Sequence, residues 1–133
     1  EVSFTLLDWP AKNGVRVGLS LVSGWLPTSF WNMERVSGGG IEAFSDVYLT
    51  DYNTSIGSLV PTTDIAGRLR IARQGDVVSA WYMQGAGWTL LRSEAVASGD
   101  VSIAFAAWSQ DAYFGDQPVR VAFDNASVVP LPG

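Results

Sequence analysis

Between Gly67 and Leu91, polar and apolar residues alternate in three short runs separated by two glycine-bearing turns. This stretch narrows the possible folds more than any other part of the chain. Leu69 and Ile71 alternate with Arg68 and Arg70. Gly75-Asp76 supplies a turn, Val78, Ala80 and Tyr82 alternate on the next run, and Gly85-Ala86-Gly87 reverses the chain again before Trp88 and Leu90. A period of two places successive side chains on opposite faces of a strand, and glycine tolerates the positive φ that tight reversals demand. The stretch therefore predicts a three-strand antiparallel meander. Alone it would leave open edges and one bare apolar face, so the other strands are expected to supply a second sheet.

The rest of the chain reads the same way. Runs rich in Val, Ile, Phe, Trp and Tyr predict strands at Val2–Trp9, Val15–Val22, Trp31–Val36, Ser45–Tyr52, Val101–Trp108 and Val119–Val129. Within the meander the predicted strands are Arg68–Arg73, Val77–Met83 and Trp88–Leu91. No window of helical length carries the i, i+3, i+4, i+7 apolar pattern with caps. Asn13-Gly14 is the best candidate hairpin pair, Ser37 to Gly40 reads as a flexible loop, and Thr54–Ile65 is weakly patterned. With 133 residues, 47% of them hydrophobic, the chain is long enough for one domain with a sizeable core. The expected fold is all-β: a single antiparallel β-sandwich of jelly-roll type spanning 1–133.

Charge and residue usage exclude several kinds of chemistry. The net charge is −5, with one lysine, Lys12, and seven arginines in no basic stripe, which argues against nucleic acid and anionic membranes as partners. No run of 18 apolar residues is present, so no helical membrane insertion is expected. The absence of cysteine removes disulfides, thiolate metal sites and a cysteine nucleophile, and the absence of histidine removes the usual general base and Ser-His-Asp triads. Glu1 opens directly into a strand-like run, so the chain reads as mature or trimmed, with no signal peptide.

Two resemblances add to this reading. The run from Gly67 to Asp76, followed by Ala80-Trp81-Tyr82 and Trp88, resembles a stretch of the concanavalin A-like lectin/glucanase superfamily, including its laminin-G-like domains. Val119-x-Val121-x-Phe123-Asp124-Asn125-x-x-Val128 resembles the closing strand of such domains. The resemblance implies a concanavalin A-like sandwich, and sugar binding as one of several functions that superfamily supports. The ending Val129-Pro130-Leu131-Pro132-Gly133 is similar to the short motif that precedes the membrane tail of bacterial exosortase-sorted proteins, without the tail. It implies a secreted bacterial protein, extracellular or at the cell surface.

The candidate functional residues are aromatic and acidic. Sugar binders stack pyranose rings on exposed indole or phenol rings, and Trp25, Trp31, Tyr48, Tyr52, Trp81 and Tyr113 are candidates for carbohydrate contact, while Trp88 and Trp108 read as core. A glycosidase needs two carboxyl groups about 5 Å apart when retaining and somewhat farther apart when inverting. The Glu-x-Asp-x-x-Glu pattern of laminarinase-type members is absent. Glu34 and Glu42 flank the glycine loop, and Asp46 and Asp51 fall on opposite faces of a regular strand, so no catalytic role is expected. A structural calcium would draw its oxygen ligands from Asp8, Asp111, Asp116, Asp124 and Asn125. Otherwise Asp124 would bond backbone and fix register. Arg68 and Arg70 share one strand face, suited to an acidic polysaccharide or to nearby acids, and Arg73 faces the other way. Asn53 and Asn125 open glycosylation-type triplets.

The leading expectation is non-catalytic binding of a polysaccharide or other glycan. The alternative is a structural subunit that self-associates in a surface layer, matrix or filament. A single lysine leaves the sheet edges with little of their usual protection, which favours assembly.

Overall fold

A computed structural model describes residues 1–23, 30–38, 40–49, 55–96, 100–109 and 117–129. Ten strands follow one another: β1 Val2–Asp8, β2 Val15–Ser23, β3 Phe30–Gly38, β4 Ile41–Leu49, β5 Ser55–Pro61, β6 Ala66–Gln74, β7 Val77–Gln84, β8 Gly87–Ala95, β9 Val101–Ser109 and β10 Arg120–Asp124. They form two antiparallel five-stranded sheets, in the orders β10-β1-β6-β7-β8 and β5-β4-β3-β2-β9. The domain is a β-sandwich.

The predicted meander is present as β6-β7-β8, with Gly75 and Gly85 both at φ +63 in its two turns. β1 and β10 complete its sheet, and the other five strands build the second. Side chains alternate as period two requires. Val2, Phe4, Leu69, Val78, Ala80 and Tyr82 point inward from one sheet, and Val17, Leu19, Leu21, Trp31, Met33 and Phe44 from the other. Aromatic rings cross the gap. Phe44 lies edge-on to Phe4 and stacks on Tyr82.

The two flanks of the sandwich close differently. Where β8 faces β5, Arg92 reaches across: Nη2 donates to Ser58 Oγ at 2.6 Å, and Nε lies 3.0 Å from the buried Asp46 Oδ2. That N–H is poorly aligned for a hydrogen bond, so the contact is ionic. Where β9 faces β10, the only ring contact among the described residues is the stacking of Phe105 on Phe123.

Four expectations need correction. Asn13-Gly14 does not close a hairpin, because β1 and β2 belong to different sheets. Asn13 is instead buried at the crossover, accepting from the Val15 N–H and donating to the Pro10 carbonyl. The weakly patterned stretch contains β5, an edge strand whose Gly57 and Pro61 obscure its alternation. The last strand stops at Asp124, where Asn125 turns to φ +51. The supposed flexible loop is also shorter than expected, since Gly38 pairs with Ile41.

Candidate functional site

Register decides what the outer face of the meander displays. Arg68 pairs with Met83 and Arg70 with Trp81, while Trp81 pairs with Leu90 and Met83 with Trp88. Their neighbours Leu69, Ala80 and Tyr82 are buried between the sheets, so these six residues share the opposite, solvent-facing side. Two tryptophans, two arginines and two flexible apolar side chains thus cover three adjacent strands. Trp81 Nε1 donates to Ser79 Oγ at 2.9 Å, which fixes that ring. The Arg70 guanidinium sits 3.9 Å from the Trp88 ring centroid and Arg68 5.6 Å from it, within cation–π range.

Glu1 organises the arginines. Its carboxylate takes Arg68 Nη2 at 2.6 Å on one oxygen and Arg70 Nη2 at 2.7 Å on the other. The Arg70 hydrogen bond is the main cause that holds the Glu1 carboxyl below its ordinary range, with burial opposing it and the Arg68 charge assisting. Both arginine side chains are 34% exposed, and the buried Arg68 Nε has no hydrogen-bond partner among the described residues. The face therefore offers two indoles and partly satisfied planar donors, pre-positioned by stacking and ion pairing. That combination suits a polyhydroxylated ring with an apolar face.

The other candidates are dispersed. Trp31 is 1% exposed and stacks on Tyr48 at 4.8 Å inside the sandwich, where its ring presents no face to a ligand. Trp25, Tyr52 and Tyr113 lie outside the described residues. Asp8 pairs with Arg120, whereas Asp124 stands opposite Ser3 at the far end of the β1–β10 ladder and accepts the Asn125 N–H. These positions do not converge on one ion. No cluster of three or more acidic, His or Cys groups able to hold a metal occurs among the described residues. Asp111 and Asp116 lie outside them, as do Asp51 and Asn53.

Two tryptophans expected in the core are not there. Trp88 lies on the outer face just described. Its signal was available: a two-residue turn at Gly85-Ala86 sets Trp88 opposite Met83, and Met83 alternates with the buried Tyr82. Trp108 is partly exposed on the outside of the second sheet, where its Nε1 donates to Glu34 Oε2 at 2.7 Å and its ring lies under Arg16.

Glu34 is the second unusual feature. It sits on that outer face, yet it is buried, paired with Arg16 Nε at 3.0 Å. Burial pushes its carboxyl above the ordinary range, against the Arg16 charge and the hydrogen bonds from Trp108 and Arg16. Both acidic residues of the adjacent strand point the other way, Glu42 to Trp9 and Arg35, Asp46 to Ser58 and Arg92. The cluster is an ion pair with an indole lid.

A raised carboxyl has a defined linkage sign. Between the ordinary value of 4.5 and the raised one, the folded state holds more protons than the unfolded chain, so Glu34 makes stability fall as pH rises through that window. Glu34→Gln is expected to flatten the stability profile above pH 4.5, measured by urea unfolding at a series of pH values. Asp46 is also pushed up by burial, so part of the slope survives. An unchanged slope would show that Glu34 titrates normally in the fold.

Comparison with protein-family models, with curated proteins and with solved structures found no match.

Proposed function

We propose that this domain is a non-catalytic carbohydrate-binding module that works outside the cell, with the outer face of β6-β7-β8 as its binding surface. The observation that carries the reading is the placement of Trp81 and Trp88 on one solvent-facing side beside Arg68 and Arg70. Indoles stack on the apolar faces of sugar rings, and guanidiniums donate to hydroxyl or carboxylate oxygens in fixed geometry. A jelly-roll, concanavalin A-like lineage is part of the proposal. In support, the terminal strands nest, β10 beside β1 and β9 beside β2. The extracellular placement rests on the sorting-motif resemblance at the C-terminus, of which Val129 is exposed and 130–133 lie outside the described residues.

A glycan array followed by titration calorimetry with the best polysaccharide tests the reading. Trp81→Ala and Trp88→Ala are each expected to weaken binding about fivefold or more, the scale of about 1 kcal/mol that marks an energetically dominant contact. Circular dichroism should stay unchanged, since neither ring is in the core. A wild-type chain that binds no glycan, or two variants that bind as well as wild type, would sink the proposal. The second reading is a structural, self-associating subunit, and a separate observation at β9 favours self-association.

A further inference from the structure

Four strands end the two sheets: β5, β8, β9 and β10. An edge strand presents unpaired N–H and C=O groups, and proteins ordinarily blunt it with proline, charge, bulges or short length. Three of these edges carry such devices. β5 has Gly57 and ends at Pro61. β8 carries Arg92 and Glu94 and breaks register opposite Ala80/Trp81. β10 is five residues long, carries Arg120, and has a register shift beside it between Leu6 and Asp8. β9 has none of them. Its nine residues, Val-Ser-Ile-Ala-Phe-Ala-Ala-Trp-Ser, include no charge, proline or glycine, and it pairs with β2 without a bulge from Val101 to Ser109. Among the described residues no strand lies on its other side.

β9 is also apolar where a lone edge should not be. Ile103 and Phe105 point to the inner face, yet they are 46% and 51% exposed. They line a cleft of about 740 Å³ together with Leu19, Ile71, Val128 and Val129, and Glu1, Arg70 and Arg73 also line it. The opposite flank of the sandwich is bridged by Arg92, whereas among the described residues the only ring contact across this one is the stacking of Phe105 on Phe123.

We infer that the occupant is a second copy of this chain, pairing β9 to β9 antiparallel about a twofold axis at Phe105. The sequence of the strand is self-complementary in that register. Val101 meets Ser109, Ser102 meets Trp108, Ile103 meets Ala107, Ala104 meets Ala106, and Phe105 meets its own copy. Away from the central Phe105 pair, large side chains face small ones, and no β9 residue in the seam is charged although each chain carries a net −5. The pairing engages edge backbone groups that no described strand pairs, joins the two second sheets into one continuous sheet, and brings the partner's β9 beside the cleft. A twofold contact of this kind closes on itself. It gives a dimer, not a filament, and stands independently of carbohydrate binding.

Sedimentation velocity from low micromolar to several hundred micromolar concentration tests the inference, with the dimer as the expected result. Ala104→Lys adds an edge charge at an exposed position. It is expected to weaken the dimer about tenfold or more while leaving the melting curve of the monomer unchanged. The chain has no cysteine of its own, so a mixture of Ala104→Cys and Ala106→Cys copies reports register directly. The mixed disulfide should form in preference to either homodimer. A chain that stays monomeric throughout overturns the inference. So does a dimer indifferent to Ala104→Lys and without the mixed cross-link, because its contact lies elsewhere. A monomer that instead captures an unrelated extended peptide along β9 overturns it as well.

Discussion

Gly18→Ala is expected to destabilise the domain by about 3 kcal/mol or more, the top of the range for overpacking in a well-packed region. Gly18 lies in the middle of β2, between β3 and β9. A Cβ built there would stand 2.1 Å from the Met33 carbonyl oxygen, 2.9 Å from Glu34 Cα and 3.0 Å from the Met33 carbonyl carbon. All three are backbone atoms of the neighbouring strand, so no side chain can rotate away. Relief requires β2 and β3 to separate at the centre of their sheet, which breaks ladder hydrogen bonds and disturbs the buried Glu34. Gly87→Ala is the control. Nothing lies within 4 Å of a Cβ at Gly87 and its φ is ordinary, so a change within about 0.5 kcal/mol is expected. Urea midpoints of the two variants decide the matter. Equal midpoints would mean that β2 and β3 shift apart at little cost.

Phe44→Ala should cost about 3–5 kcal/mol, the usual penalty for emptying a buried phenylalanine site. Phe44 is 0% exposed on β4, but its partners belong to the other sheet. Phe4 lies edge-on at 6.1 Å and Tyr82 is stacked at 4.6 Å. The ring is therefore a contact between sheets, and its loss removes the burial that holds the layers together. Phe105→Ala makes the contrast, since half of that ring is already in solvent. It should change monomer stability by less than about 1 kcal/mol, because little surface returns to water. Denaturation curves in which the two variants lose similar stability would show that the sandwich is not held by its central aromatic cluster.

The contrast between these two phenylalanines shows where sequence reasoning ran out. Phe44 has the acids Glu42 and Asp46 two residues to either side and precedes the predicted strand Ser45–Tyr52, whereas Phe105 has Ile103 and Ala107, so local patterning favours the wrong one of the two as core. Burial depends on whether another sheet lies overhead, and that is set by pairings between residues far apart in the chain. The same limit accounts for Trp108, which alternates correctly on β9 but faces outward beside Glu34 and Arg16. Trp88 is different, because its face followed from the two-residue turn before it. β5 escaped notice because an edge strand buries little, so its sequence is free to be irregular.

At the candidate site, Arg68, Arg70 and Trp81 share a face by alternation and turn length alone, and the sequence carries that much. Glu1 does not belong to that pattern. It lies 67 residues before Arg68 in the chain, and only the pairing of β1 with β6 brings its carboxylate to both arginines.

The sequence by itself determined that the chain is built of strands, and it located all but β5 of them, the β6-β7-β8 meander and which residues lie together on each side of a strand. Those properties are local, arising from period-two geometry and from glycine at tight turns. Only the tertiary structure decided which side is covered, which strands become edges, and that β9 is left apolar on an open edge. The physical reason is that a strand's own residues fix its two faces, while the solvent exposure of each face depends on strands brought from elsewhere in the chain.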